Sequence, residues 1–373
     1  MENNKRKLVS IREIKDLLPI KGADFIENAI VDGWGLVVKK GEFQVGDMCV
    51  FFEIDCFLPI EERYSFLGKT TEFRNAQGYR LKTIKLRKTL SQGLALPLSM
   101  FPEIKRPKLG LEVTELLKVR KWERIENVQN VQKSSKVRVF PSEIPKTDQE
   151  RIQNLTWYFD KLQDMEFEET LKLDGSSMTC YKTTDKTPFL QRVIRLFKTG
   201  KYTIPHFGVC SRNVELYQDK PFFKLFTNSD KASEFSTTTF WELAIREDLE
   251  SKLPFGYAIQ GELLDTKIQS NHEKVDRPEY RIFDVYNILE KRYLTPAERK
   301  IFLETTKLDY LSVPIVEPSI KIFKKCTTVQ DLLKRVEGIS MNPQTVSEGR
   351  VYKSVDGKIT FKAVSNKYLM KED

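Results

Sequence analysis

The sequence predicts an α+β protein of two domains, and three observations carry that prediction. A chain of 373 residues is too long for one ordinary hydrophobic core. Aromatics make up 11% of it, with 24 Phe, which favours packed sheets over helical bundles. Short strands punctuated by glycine occupy residues 1–115, whereas longer apolar strands mixed with capped helices follow from residue 146.

In the first stretch the clearest strands are Gly33-Trp34-Gly35-Leu36-Val37-Val38, then Met48–Ile54, then Tyr79–Leu86. Lys40-Gly41-Glu42-Phe43-Gln44-Val45-Gly46-Asp47 lies between the first two, its glycines and Asp marking tight turns. Strands at this spacing predict a small β-barrel of OB type. Alternation in Tyr79–Leu86 puts Arg80, Lys82 and Lys85 near exposed positions, with Arg87 and Lys88 following. That face reads either as a nucleic-acid groove or as an ordinary solvated strand face. Residues 116–145, dense in Lys, Arg, Asn, Gln and Ser without a period, read as a linker.

The second domain is expected over 146–373. Thr147 with Glu150 three residues on has the pattern of a capping box, predicting a helix from there towards Leu162. Strands are expected at Phe167–Lys172, Met178–Lys182, Gly256–Leu264, Tyr280–Ile288, Arg350–Val355 and Lys358–Val364. A helix should start at Thr295-Pro296-Ala297-Glu298, and another should run from Val329 to Glu337 and stop at Gly338.

Charge and composition narrow the function classes. Sixty-two Lys and Arg against 53 Asp and Glu leave a net +9, with a pI near 9.0. Such a surplus suits a polyanionic partner, because basic side chains release counterions condensed on phosphates. Many unrelated basic proteins share it. Cys49, Cys56, Cys180, Cys210 and Cys326 form no Cys-x-x-Cys pair and are odd in number, which favours a reducing compartment. With only His206 and His272 as imidazoles, a zinc site or a Ser-His-Asp triad is disfavoured, and any metal should be hard and carboxylate-bound, such as magnesium. No apolar run approaches the ~20 residues that span a bilayer, and Met1–Lys7 lacks a signal sequence's apolar stretch. The expectation is a soluble intracellular, cytoplasmic monomer without a membrane partner.

The chemistry centres on Lys172-Leu173-Asp174-Gly175-Ser176-Ser177. Lys172 ends a strand, and a carboxylate follows two positions on. A lysine attacks phosphorus only as a neutral amine, and nearby positive charge lowers its pKa towards that state. Asp174 can hold a metal or its water shell. Taken alone, Lys-x-Asp-Gly also describes an exposed hairpin turn. Further elements then follow in order: Ser211-Arg212-Asn213, Gly261-Glu262-Leu263, Phe283-Asp284-Val285-Tyr286, Glu348-Gly349 and Phe361-Lys362-Ala363-Val364-Ser365-Asn366-Lys367. With these the chain resembles the covalent nucleotidyltransferases, which comprise RNA ligases, DNA ligases and capping enzymes. It most resembles the ATP-dependent RNA ligases of the RNA ligase 5 family, which join an amino-terminal OB domain to the catalytic domain. Val38–Val45 with Gly46-Asp47, Phe52-Glu53-Ile54-Asp55, and Ile84–Arg87 with Ser91-Gln92-Gly93-Leu94 look like that leading domain.

The resemblance implies an OB-like nucleic-acid-binding domain over 1–115 and an antiparallel-sheet, ATP-grasp-like adenylation domain over 146–373. It implies Lys172 and Lys362 as catalytic residues. Leu171, Lys172, Arg151 and Arg212 are expected to bind the nucleotide, with Glu262, Phe283, Lys362 and Lys367; Phe283 would stack on adenine. Asp174, Glu262 and Glu348 would place a metal, through water. ATP with Mg2+, or Mn2+ in its place, would be the cofactors. The partner would be RNA or a nicked duplex with 5′-phosphate and 3′-hydroxyl ends, sealed through Lys172-AMP and an RNA-adenylate, as in RNA repair. Each residue also has an ordinary reading: Arg212 and Lys367 as surface charges, Glu262 as a strand-end carboxylate, Phe283 as core, Glu348 and Lys362 as hairpin charges, Arg151 as a helix residue.

Two features strain the pattern. Asp356-Gly357 should make a two-residue hairpin turn that sets Val351 opposite Lys362. Glu348, three residues from Val351, then faces away from Lys362 unless the chain is irregular there, for instance at a bulge on Gly349. In addition, Val364 stands where many relatives have a second lysine, and whether Lys367 substitutes is open. The competing functions are a DNA ligase or capping-type enzyme, which usually carry the OB domain after the catalytic one, and a non-catalytic OB-type RNA-binding protein. Intact Lys172, Asp174, Glu262, Glu348 and Lys362 argue against the last.

Overall fold

A computed structural model of the chain describes residues 7–122, 137–184, 196–197, 205–218 and 237–371. Ten strands lead: β1 (Val9–Pro19), β2 (Ile26–Val31), β3 (Trp34–Lys39), β4 (Met48–Phe52), β5 (Cys56–Pro59), β6 (Thr71–Phe73), β7 (Ala76–Arg80), β8 (Ile84–Leu86), β9 (Thr89–Ser91) and β10 (Leu94–Pro97). An antiparallel sheet runs β10-β4-β1-β2-β3. In it β1 pairs with β4 through its first half and with β2 through its second, and the register shifts between Ile14 and Asp16. A shift of this kind lets one strand serve two neighbours and curl the sheet into an OB-type half-barrel. Trp34, Phe51 and Leu36 fill one side of it, and Phe52, Tyr64 and Phe101 the other.

Tyr79–Leu86 is not the single strand that alternation predicts. β7 stops at Arg80 and Leu81 turns inward, donating its N–H to the Cys56 carbonyl (2.9 Å), before β8 begins at Ile84. Burial of Leu81 therefore overrides the basic alternation around it. The expected linker over 116–145 also contracts from both ends. β11 (Arg120–Lys121) pairs with β5, and β12 (Val137–Val139) edges a sheet of the second domain. Within that span, residues 123–136 lie outside the described residues.

The second domain continues with β13 (Glu150–Arg151), α1 (Tyr158–Lys161), β14 (Phe167–Lys172), β15 (Ser176–Thr184), β16 (Pro205–Cys210), β17 (Val214–Leu216), α2 (Thr237–Arg246) and α3 (Leu249–Lys252). There follow β18 (Tyr257–Leu264), β19 (Glu279–Asn287), β20 (Arg292–Tyr293), α4 (Pro296–Thr305), β21 (Ile315–Ile320), α5 (Ile322–Lys325), α6 (Val329–Arg335), β22 (Gly349–Ser354), β23 (Thr360–Val364) and α7 (Asn366–Leu369). Two sheets result, ordered β12-β17-β16-β15-β18-β19-β20 and β13-β23-β22-β14-β21. The first packs Met178, Ile259, Tyr280 and Ile282 against α2, α3 and α4, and the second packs Phe167, Tyr352 and Phe361 against α1, α5 and α6.

The helix expected from Thr147 is absent. Glu150–Arg151 instead form β13, paired in parallel with Phe361–Lys362 of β23, and a 3-10 turn (Ile152–Asn154) precedes the four-residue α1. The Glu150 carboxylate explains the difference. It accepts from the Arg151 N–H (3.1 Å) and from Asn154 Nδ2 (2.7 Å), so the would-be capping partner serves a sheet edge. The other helix signals hold. Thr295 and Glu298 form a reciprocal capping box with Pro296 at the first position, and Thr328 with Asp331 do the same for α6. The β22–β23 pairing has the expected register, Val351 opposite Lys362. Its turn is wider than two residues: Gly357 N–H bonds the Ser354 carbonyl (2.8 Å) with Gly357 at φ +74°.

Candidate active site

Between the two sheets of the second domain, with the first domain at its mouth, lies a cleft of 760 Å³. Period-two alternation supplies its floor. Glu168, Thr170 and Lys172 of β14 stand opposite Lys353, Val351 and Gly349 of β22; Val351 stands opposite Lys362 of β23, and Lys362 opposite Arg151 of β13. Paired residues share a face, so one face carries Lys172, Lys353, Lys362 and Arg151 together. Glu169, Tyr352 and Phe361 go to the other face, where Glu169 accepts from Tyr352 Oη (3.1 Å) and Arg335 Nη2 (2.7 Å).

The chain crosses from one sheet to the other at Leu173-Asp174-Gly175, immediately after Lys172. Gly175 approaches β18 so closely that a Cβ there would lie 2.4 Å from the Leu263 carbonyl oxygen, and its N–H donates to Glu262 Oε1 (3.1 Å). The opposite wall is Ser176, Ser177, Glu262, Phe283 and Asp284. Between β18 and β19 the register jumps: Gln260 pairs with Asp284 but Gly261 with Ile282, leaving Phe283 as the extra residue. That bulge turns the Phe283 ring towards the cleft while its edge packs on the Leu171, Leu173 and Val313 cluster, so core and cleft roles coexist. Arg299 of α4 pins the bulge, donating from Nη1 to the Phe283 carbonyl (2.8 Å) and from Nη2 to both oxygens of buried Glu168 (2.8 and 2.7 Å).

Lys172 Nζ donates to Glu348. Glu348 escapes the parity problem because it precedes β22. Gly349 holds φ +152°, and a Cβ on it would lie 2.1 Å from the Ala363 carbonyl oxygen. The ladder itself keeps register, so the irregularity is the strand's first residue and no bulge is present. Burial pushes the Lys172 amine down, but Glu348, Glu262 and Asp174 outweigh it and hold the amine above its ordinary value. The same crowding falls on the carboxyls. Burial lifts Glu262 to about 8, with Lys172 opposing and Glu348 and Asp174 adding. Burial and Glu348 lift Asp174 to about 6, against the Tyr368 hydroxyl that donates to its Oδ2 (2.8 Å).

Leu171, next to Lys172, is buried, its N–H bonded to the Pro314 carbonyl (3.0 Å). Arg212 reaches the mouth from the β16–β17 turn and pairs with Asp148 (2.7 Å), which Lys121 of the first domain also meets (2.9 Å). Burial works the other way, yet Arg212 and Lys121 hold Asp148 down at about 2. One expected residue does not join the site. Lys367 is exposed on α7 and does not line the cleft, and Val364 is buried with Leu90, Val346, Tyr368 and Leu369. Neither position supplies a second lysine beside Lys362.

Sequence reasoning missed several members. Lys353 was within reach of it, since alternation from Val351 puts it on Lys362's face; burial pulls its amine down to about 8, and its partner is the Asp284 carboxylate. Tyr368, Asn154, Arg299 and Asp148 carry no local signal. From the first domain come Asp55, Arg80, Lys121 and Trp122, with the Arg80 guanidinium 3.3 Å over the Trp122 ring. Among the described residues no three His, Cys, Asp or Glu side chains are set to ligate an ion directly. The donor chemistry nonetheless suits a hard cation held through water, because Glu348 Oε2 is buried without a hydrogen-bond partner and two neighbouring carboxyls are pushed up by burial and by the Glu348 charge. All five cysteines are buried free thiols, and His272 Nε2 donates to the Val346 carbonyl (2.8 Å) away from the cleft.

Comparison with known proteins adds independent findings. An OB-fold domain model matches residues 8–98, and an RNA ligase family model matches residues 165–369. Among solved structures, a lysine-to-alanine mutant of Naegleria gruberi RNA ligase with ATP and Mn is 36% identical, at TM-score 0.78, over 98% of this chain and 99% of that one. A lysine-to-methionine mutant of the same ligase with AMP and Mn matches at the same identity, TM-score and coverage. The same ligase with PPi is 36% identical at TM-score 0.76, over 99% of both chains. No curated protein sequence matches the chain.

Proposed function

This chain belongs to the RNA ligase family, and on that footing we propose that it is an ATP-dependent ligase that joins RNA 3′-hydroxyl and 5′-phosphate ends, at nicks in duplexes, through a covalent adenylate on Lys172. The observation that carries the reading is the Lys172 amine at the head of a cleft, ringed by Glu348, Glu262 and Asp174 and sharing its floor with Lys362 and Arg151. Related structures holding ATP, AMP and PPi support the nucleotide and the products.

In this reading Phe283 stacks on adenine, and the Lys172 nitrogen bonds to the α-phosphorus of ATP as diphosphate leaves. Lys362, with Arg151 beside it, faces the charge that builds on the phosphoryl oxygens. Arg212, Lys121 and Arg80 at the mouth suit the outer phosphates or the incoming RNA strand. Because carboxylates keep the amine protonated while burial opposes its charge, a divalent cation that draws those carboxylates to itself leaves burial to dominate and the amine neutral. AMP then passes from Lys172 to the RNA 5′-phosphate, and the 3′-hydroxyl displaces it. The domain limits 1–115 and 146–373 belong to this proposal, with β11 and β12 trimming the linker between them.

Incubation with magnesium and ATP labelled at the α-phosphate should leave acid-labile label on the protein, and Lys172→Ala should abolish it. Absent label in wild type, or undiminished label in Lys172→Ala, refutes the reading. Nicked duplexes with RNA or DNA at the 3′-hydroxyl side then report strand preference.

A further inference from the structure

Asn154 closes the 3-10 turn directly after Arg151, and its amide has four hydrogen-bonding capacities, all filled. Its Oδ1 accepts from Arg12 Nη1 (3.0 Å) and Trp34 Nε1 (2.7 Å). Its Nδ2 donates to Glu53 Oε1 and to Glu150 Oε1, at 2.7 Å each. Arginine and indole can only donate and ionised carboxylates can only accept, so the amide has one orientation. Three of the four partners come from the first domain. They are themselves fixed: Glu53, 1% exposed, also takes Arg12 Nη2 (3.0 Å), and Arg12 stacks 4.6 Å over Phe51 while meeting Asp32 (3.2 Å).

The fourth partner leads to the cleft. The Glu150 oxygen that Asn154 holds also accepts the Arg151 N–H (3.1 Å), and the Trp34 ring that Asn154 orients lies 5.7 Å from the Arg151 guanidinium. The turn carrying Trp34 is pressed onto the same segment. Gly33 N–H donates to the Gln153 carbonyl (3.3 Å), and a Cβ on Gly33 would lie 2.8 Å from Gln153 Cα. β13 is thus held on one side by β23 and on the other by the first domain.

We propose that Asn154 is a positioning residue for nucleotide transfer to Lys172, its amide tying the Arg151 segment to the amino-terminal domain and so holding Arg151 beside Lys362. The inference rests on the reading that Arg151 serves the nucleotide step.

The test is a double-mutant cycle on Lys172 adenylation, with magnesium and ATP and no RNA. Arg151→Ala and Asn154→Ala should each lower kcat/KM for ATP about 10- to 100-fold, the range a small misplacement costs. Combined, they should be no slower than Arg151→Ala within about twofold, because residues acting through one another are not additive. Equal losses from Asn154→Ala in both backgrounds would mark a merely structural role and overturn the inference. A normal Asn154→Ala beside an impaired Arg151→Ala defeats the inference alone, whereas a normal Arg151→Ala defeats the reading beneath it. Should Asn154→Ala fail to fold, Trp34→Phe keeps an aromatic ring at that place and removes one donor to the amide. Its smaller loss must also vanish in the Arg151→Ala background.

Discussion

Lys172 is a charged amine in a nest of three carboxyls, and its neighbours need holding as much as it does. Asp174 is held by one hydroxyl, that of Tyr368, whose ring meets His272 edge-on at 5.1 Å. Tyr368→Phe keeps the ring and deletes that donor. It should lower the adenylation rate about tenfold, the worth of one hydrogen bond to a charged group, with little change in melting temperature. An unaltered rate would show that Asp174 needs no such support. The residues legible in the sequence were those that an ordered motif set announces: Lys172, Asp174, Glu262, Phe283, Glu348 and Lys362. Tyr368 and Asn154 were not legible, because each matters through partners 194 and 101 positions away, which no local pattern records.

Thr147-x-x-Glu150 and Thr295-x-x-Glu298 have the same spelling and different outcomes. Pro296 and the apolar side chains of α4, among them buried Leu303, give the second a helix to cap, whereas Glu150 is claimed by Asn154 and its backbone by β23. A capping box is therefore a permission that a sheet edge can override. Thr295→Ala should cost about 1 kcal/mol in chemical denaturation. Arg292 chiefly, with Thr295, holds Glu298 down from 4.5 to about 2. A depressed carboxylate stabilises fully above its unfolded value and stops doing so as pH falls through its folded one. The gap between wild type and Arg292→Ala should accordingly be constant above pH 4.5 and shrink towards pH 2; a gap that widens on acidification would contradict the assignment. In the second domain β14, β15, β18, β19, β22 and β23 were legible because burial and alternation agree there, whereas β13, β16, β17 and β21 were not. Tyr79–Leu86 was not, because Leu81 leaves the strand for the core.

Across the molecule, the two-domain order and the OB-type start were legible, while the cleft itself was not. Its floor joins β13 to β23, more than 200 positions apart, and its mouth is completed by Arg80, Lys121 and Trp122 of the first domain. With a net charge of +9, RNA binding should weaken steeply with salt, each neutralised phosphate adding about 0.7 to 0.9 to the log–log slope. Lys172 adenylation without RNA should fall far less between about 50 and 200 mM salt, since its charges are largely buried. Equal sensitivity of both steps would place the first domain's basic residues on the nucleotide instead of the RNA. The Asn154 junction has one more consequence, in the order of synthesis. A ribosome delivers Arg12, Trp34 and Glu53 well before residue 154, and domains tend to fold as they emerge. The first domain therefore reaches its own fold with an indole donor and a carboxylate waiting in water for an amide not yet made. The nascent chain becomes able to complete its cleft only when that late residue docks.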